Sequence, residues 1–241
     1  CLAVSENTAH DLLTFYPDAA AKPLQIMHNG VSAGFLPAGA ERIADFRARF
    51  GIAKPYYLFV GPRVWYKNFQ VLLDAYALLP DAASCCIVST GNQELEAEFA
   101  DHPAACVVCL PGRLSEEDLV AAYSGAIALA YPSKCEGFGL PVLEAMACGC
   151  PVIASTAPSI VEVAGDAAML VRHNDAGGFA AVMLKMREPT IRREYVRKGL
   201  ERARCFSWRH SAATLVRAAC GVVGGRMGQD NLYLEERTFR E

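Results

Sequence analysis

The chain has 241 residues, of which 53% are apolar and 20% charged, and its formal charge is −3. It can bury a sizeable core, is too apolar for a disordered segment, and lacks the basic excess that phosphate-backbone binding requires, so no nucleic-acid partner is expected. No run approaches the roughly 20 apolar residues that cross a bilayer, and no charged stretch followed by an apolar one opens the chain. The expected location is the cytoplasm, a reading compatible with peripheral association at the inner face of the membrane.

Cys1 stands first where a methionine would, and residues 2–4 read as the end of a strand, so the natural start is expected upstream. A helical pattern at 9–15 is followed by Pro17, Pro23, Gly30, Gly34, Pro37 and Gly39, residues that mark a connector rather than a core. Residues 1–30 are read as the remnant of a preceding domain and 31–50 as a hinge and lead-in. From residue 56, short and nearly continuously apolar runs at 56–60, 85–89, 106–110, 127–131, 152–154 and 168–171 read as strands. Helical patterns lie between them at 69–79 and 93–101, and another opens at Ser115, whose hydroxyl suits an N-cap ahead of Glu116, Glu117 and Asp118. This alternation predicts an α/β fold over residues 51–190, a Rossmann-like parallel sheet with helices on both faces. Helices are expected at 176–187, 192–204 and 207–223, the last two forming a C-terminal segment over 191–223. The polar, glycine-punctuated stretch 224–241 is a tail without a readable role.

Ten cysteines raise the question of disulfides or metal. Cys85, Cys86, Cys106 and Cys109 lie in apolar, strand-like runs, where reduced thiols behave as small hydrophobes. Cys106 and Cys109 have metal-ligand spacing, but no second pair or histidine cluster completes a four-ligand set, so no metal is expected.

Two segments carry the candidate chemistry. Residues 131–149 run strand, loop, helix, and in an open α/β sheet such a loop lies at the ligand crevice beyond the carboxyl ends of the strands. Gly137 and Gly139 allow close approach of the backbone, Pro141 suits a first helical turn, and the exposed amides there form an anion site fit for a diphosphate. Glu136 and Glu144 bracket this loop as hydroxyl acceptors, a ribose or hexose reader if both face the crevice and otherwise a solvated loop residue and a helix-dipole partner. The second segment, 61–68, follows the first core strand. Arg63 and Lys67 are expected to point into the same crevice, a planar fork and a point charge that together could neutralise a departing diphosphate, and are otherwise surface cations on a solvated turn. Neither a G-x-G-x-x-G fingerprint nor a Walker A sequence occurs, which disfavours dinucleotide dehydrogenases and P-loop enzymes.

Residues 132–152, with Glu136 and Glu144, resemble the signature of glycosyltransferase family 4, the group 1 transferases of GT-B fold. Further segments match in order: Val4-Ser5-Glu6; Asn29-Gly30-Val31 with Phe35; Phe59-Val60-Gly61 with Arg63, Lys67 and Asn68; and Glu162 to Ala168. The resemblance spans about residues 3–220. It implies that the complete domain is the carboxyl-terminal, donor-binding half of a retaining hexosyltransferase, with the acceptor surface mostly in an amino-terminal domain absent from this sequence. It also implies that Arg63 and Lys67 hold the diphosphate, Glu144 the ribose and Glu136 the donor hexose. The amides of Gly137, Phe138, Gly139 and Leu140 would bind phosphates and sugar, with no metal or other cofactor. The Tyr66-Lys67-Asn68 variant is similar to bacterial mannosyltransferases of surface polysaccharides, which favours GDP-mannose as donor and a carbohydrate or lipid-linked acceptor. Ser32 and Val161 depart from the family pattern, and His10 and His28 read as uninformative. A GT-B sugar-nucleotide epimerase and a non-catalytic nucleotide-sugar-binding module are the competing readings.

Overall fold

The computed structural model describes residues 1–222. The tail expected over 224–241 lies outside the described residues. At the amino end β1 (Leu2–Ala3) and β2 (Gln25–Ile26) pair in parallel around α1 (Glu6–Phe15), forming a two-stranded sheet of their own. The Ser5 hydroxyl caps α1 by accepting from the Thr8 amide.

The main sheet has six parallel strands in the order β5-β4-β3-β6-β7-β8. They are β3 (Tyr56–Phe59), β4 (Cys86–Thr90), β5 (Val108–Gly112), β6 (Ala128–Tyr131), β7 (Val152–Ser155) and β8 (Ala168–Val171). All residues of β3, β6 and β7 are buried, as strands covered on both faces must be. The period of two divides β3 between two cores. Tyr56 and Leu58 join one face and Tyr57 and Phe59 the other. Each tyrosine satisfies its hydroxyl across its own layer, Tyr56 donating to the Ala122 carbonyl and Tyr57 to that of Met183, both at 2.7 Å.

One face carries α3 (Phe69–Ala77) and α8 (Ala176–Lys185); the other carries α2 (Ala40–Arg49), α5 (Glu116–Gly125), α6 (Leu140–Ala147) and α9 (Pro189–Ala203). Ser115 caps α5 as expected, accepting from the Asp118 amide. Three expectations are corrected. Residues 31–50 are more than a lead-in: α2 inserts Phe46, fully buried, beside Phe50. Its many charges and its Pro37/Gly39 approach hid this short helix. The helix expected at 93–101 shrinks to α4 (Ala97–Ala100), because the carbonyls of Asn92 and Glu94 bond to Arg63 instead of to helix amides. Cys106 sits exposed on a single turn, Ala105–Val107, ahead of β5, while Cys85 and Cys86 are buried.

The short α7 (Pro158–Ala164) follows β7, and α10 (Trp208–Val222) returns to the amino-terminal segment. Val31 pairs with Ser207, and the Ser211 hydroxyl donates to the His28 carbonyl. Gly30 lies so close that a Cβ there would sit 2.0 Å from the Trp208 nitrogen. No described helix is long and apolar enough to cross a membrane.

Candidate active site

The chain runs β3 to β5 in one direction across the sheet and then returns to place β6 on the other side of β3. The loops leaving β3 and β6 therefore diverge, and they open the crevice that such a reversal creates. The turn after β3 carries Lys67 and the loop after β6 carries Glu136. Lys67 Nζ donates to Glu136 Oε1 at 2.7 Å and to the Tyr131 hydroxyl at 2.7 Å. The side chains of this ion pair are only 9% and 13% exposed, so its attraction is far less screened than that of a surface pair. Burial, and then the Glu136 charge, pushes the Tyr131 phenol well above its ordinary range, so it stays neutral as a hydrogen-bonding group.

Asn68 fixes the geometry of this pair. It is left-handed, with φ 59° and ψ 43°, and is the one non-glycine residue with positive φ among the described residues. Its amide donates to the carbonyls of Pro132 at 3.1 Å and His173 at 2.6 Å. A third stitch comes from the Lys134 amide, which donates to the Tyr66 carbonyl at 2.7 Å.

The Glu136 loop is held from three further sides. The Ser159 hydroxyl donates to the Glu136 carbonyl at 2.7 Å, and Ser5 and Thr8 donate to that of Gly137 at 2.7 and 2.9 Å. Gly139 then opens α6 at φ 104°, with no side chain capping that end. This leaves the amino terminus of α6 with the character of an anion site. Phe138 is buried, its ring 5.9 Å from His28 and 5.8 Å from Phe206; Leu140 packs partly buried against the same core. Between α1 and this loop lies an open cavity of about 450 Å³, lined by Thr8, Asp11, Tyr66, Lys134, Glu136 and Ser159 among others, within the usual size of small-molecule sites.

Two of the expected residues stand apart from the Lys67–Glu136 pair. The Arg63 guanidinium, expected beside Lys67, is turned toward the loop after β4. Its side chain is fully enclosed, donating to Glu96 Oε2 at 2.6 Å, Ser89 Oγ at 2.9 Å and the Asn92 and Glu94 carbonyls at 3.2 and 2.6 Å. Glu144, in the second turn of α6, accepts from the Tyr123 hydroxyl at 2.9 Å. Its carboxyl is raised above the usual range by burial, an effect the Tyr123 bond opposes and the charge of Glu116 reinforces.

Reasoning from sequence missed the roles of His28 and Glu162. Glu162 accepts from the Glu6 and Asn7 amides at the start of α1 and from His28 Nε2 at 2.7 Å. Two of the ordered motifs, those of Glu6 and Glu162, thus meet at one carboxylate, joined by His28 just ahead of the Asn29-Gly30-Val31 segment. The available signal was Glu162's place in a quoted motif. No periodicity could have paired it with residues more than 130 positions away. Among the described residues no group of three or more His, Cys, Asp or Glu is placed to hold a metal ion.

An O-antigen chain mannosyltransferase B of Escherichia coli is 30% identical over 207 residues, covering 78% of this chain and 51% of the relative. A D-inositol 3-phosphate glycosyltransferase of Mycolicibacterium smegmatis is 31% identical over 225 residues, covering 88% of this chain and 50% of the relative. The chain thus spans about half the length of these two curated relatives. Among solved structures, Anabaena HepE in complex with UDP and glucose superposes with a TM-score of 0.80 at 18% identity, covering 91% of this chain and 62% of that one. Sucrose-phosphate synthase from Thermosynechococcus elongatus gives 0.77 at 23%, covering 92% and 58%. The Rossmann-like sheet with its helices matches these GT-B glycosyltransferases. The family model for glycosyl transferases group 1 matches residues 43–201, about two thirds of the sequence, and the chain belongs to that family.

Proposed function

We propose that this chain is the carboxyl-terminal, donor-binding half of a retaining family 4 hexosyltransferase that takes a nucleoside-diphosphate sugar, with GDP-mannose the favoured donor. The observation that carries the reading is the enclosed Lys67–Glu136 pair at the switch point of the sheet, next to the uncapped amino terminus of α6. A diphosphate arriving there brings more negative charge than one carboxylate and draws Lys67 toward itself, aided by the amides of residues 137–140. Glu136 is then released to accept hydrogen bonds from the donor hexose. The resulting charge-assisted bonds hold and orient the sugar, while Lys67 offsets charge that grows on the leaving diphosphate. Glu144 reads the ribose. The mannosyltransferase relative supports mannose as the sugar and a carbohydrate or lipid-linked acceptor. The acceptor is held largely by a preceding domain of which residues 1–30 are the last part, and the enzyme works in the cytoplasm or at the inner face of the membrane.

Calorimetric titration with GDP, UDP and ADP tests this. Saturable binding of one nucleotide to the isolated chain, strongest for GDP, is the expected result, with negligible sugar transfer until both halves close over donor and acceptor. Failure of the full-length protein to bind any of the three would reject the reading.

Glu144 yields a second prediction. A carboxyl raised in the folded state is penalised wherever it ionises, so Glu144→Gln is expected to raise Tm at neutral pH. The gain should fade as pH falls through the raised Glu144 value and vanish below the ordinary carboxylate range, where both folded and unfolded states are protonated. The same variant should bind nucleotide about tenfold more weakly, the loss of one charge-assisted bond. Unchanged affinity would remove Glu144 from the ribose site.

A further inference from the structure

We infer that Arg63 is a positioning residue, which locks the loop after β4 against the turn that carries Lys67, and that it does not ligate the donor diphosphate. The inference rests on the donor-site reading above but assigns Arg63 differently from what the family resemblance implies. Four hydrogen bonds engage the guanidinium, to Ser89, Asn92, Glu94 and Glu96, and its side chain is fully enclosed. Its carbon lies 5.7 Å from the Phe69 ring centroid, so the aromatic ring also covers it. A phosphate oxygen could reach this group only by displacing partners it already holds, among them the buried Ser89 hydroxyl and the Glu96 carboxylate.

The cage also contains its own counter-charge. Although burial pushes the Glu96 carboxyl upward, its bonds to Arg63 and Asn92 bring it below the usual range, so it is ionised at neutral pH. An arginine already paired with a carboxylate adds little attraction for a second anion. Lys67 differs because its partner Glu136 lines the cavity, where a ligand can replace it. What Arg63 does hold is local shape. It stands on the turn after β3, and its fork reaches across to residues 89–96, while the Gly61 amide donates to Thr90 Oγ1 at 3.3 Å. The two loops therefore form one unit at the carboxyl edge of the sheet, the side on which a nucleotide would lie.

The sign of a charge change separates the two roles. If Arg63 touched phosphate, Glu96→Gln would free it and leave nucleotide binding unchanged or tighter. If it positions the loop, Glu96→Gln and Arg63→Ala should each weaken GDP binding, by at least about fivefold, and the Arg63→Ala/Glu96→Ala double variant should be no worse than the poorer single variant. Amide hydrogen exchange over residues 91–96 should rise in all three. The inference is overturned if Glu96→Gln binds GDP as well as wild type or better while Arg63→Ala loses it, or if exchange at 91–96 is unaltered by Arg63→Ala. Should the wild-type protein bind no nucleotide, the donor reading fails by itself, and the exchange measurement still decides whether Arg63 holds the loop.

Discussion

Lys67→Ala in the full-length protein is expected to reduce sugar transfer by at least about a hundredfold and to weaken nucleoside-diphosphate binding with it, because one substitution removes two effects. The cation facing the diphosphate is lost, and Glu136 is left enclosed at 13% exposure without its counter-charge. Glu136→Ala should behave differently. Transfer is again lost, since nothing orients the hexose, but Lys67 no longer has a competing carboxylate, so nucleotide affinity is retained or increased. Initial rates and calorimetry on both variants provide the check. Wild-type rates in both would reject the site, and equal loss of nucleotide affinity would show that Glu136 does not yield Lys67 to the ligand. Lys67→Arg should rescue only partly, because a broad planar fork cannot reproduce a compact point charge that also fits against Tyr131.

Asn68→Ala is expected to destabilise the fold by about 3 kcal/mol and to impair nucleotide binding as well. The buried Pro132 carbonyl and the partly buried His173 carbonyl lose their donor, at roughly 1–3 kcal/mol for the buried one and less for the other, which water can reach. Alanine must also adopt the left-handed backbone, at about 1–2 kcal/mol for a residue with a Cβ and no local hydrogen bond to offset it. Asn68→Gly removes the bonds but not the conformation, so it should be milder by roughly the second amount. Denaturant titration of the three proteins measures this order. If alanine and glycine were equally costly, the left-handed backbone would carry no strain worth counting. If neither mattered, Asn68 would not be what joins the loops after β3, β6 and β8.

Much of this protein could be read without coordinates. The fully apolar runs at residues 56–60 and 127–131 and the rhythm of strand and helix determined a parallel sheet covered on both faces, since a central strand must be apolar on both sides while helices need only one apolar stripe. Ser115 announced its own helix because capping is local. The loop at 132–140 could be placed at the crevice because strand, glycines and Pro141 are all neighbours in sequence.

What escaped was set by contacts between distant residues. That Lys67 reaches Glu136 while Arg63, four residues earlier, turns to Glu96 depends on the strand order, which puts β6 on one side of β3 and β4 on the other. Glu162 and His28 acquire meaning only when α7 meets α1 and the return of α10 fixes residues 28–31. Periodicity and local propensity report which face of an element is buried; they carry no information on which partner, a hundred residues away, completes a polar group. The sequence by itself therefore determined the layers of the fold and the loops that bear charge, and the tertiary structure alone decided which of those charges are paired.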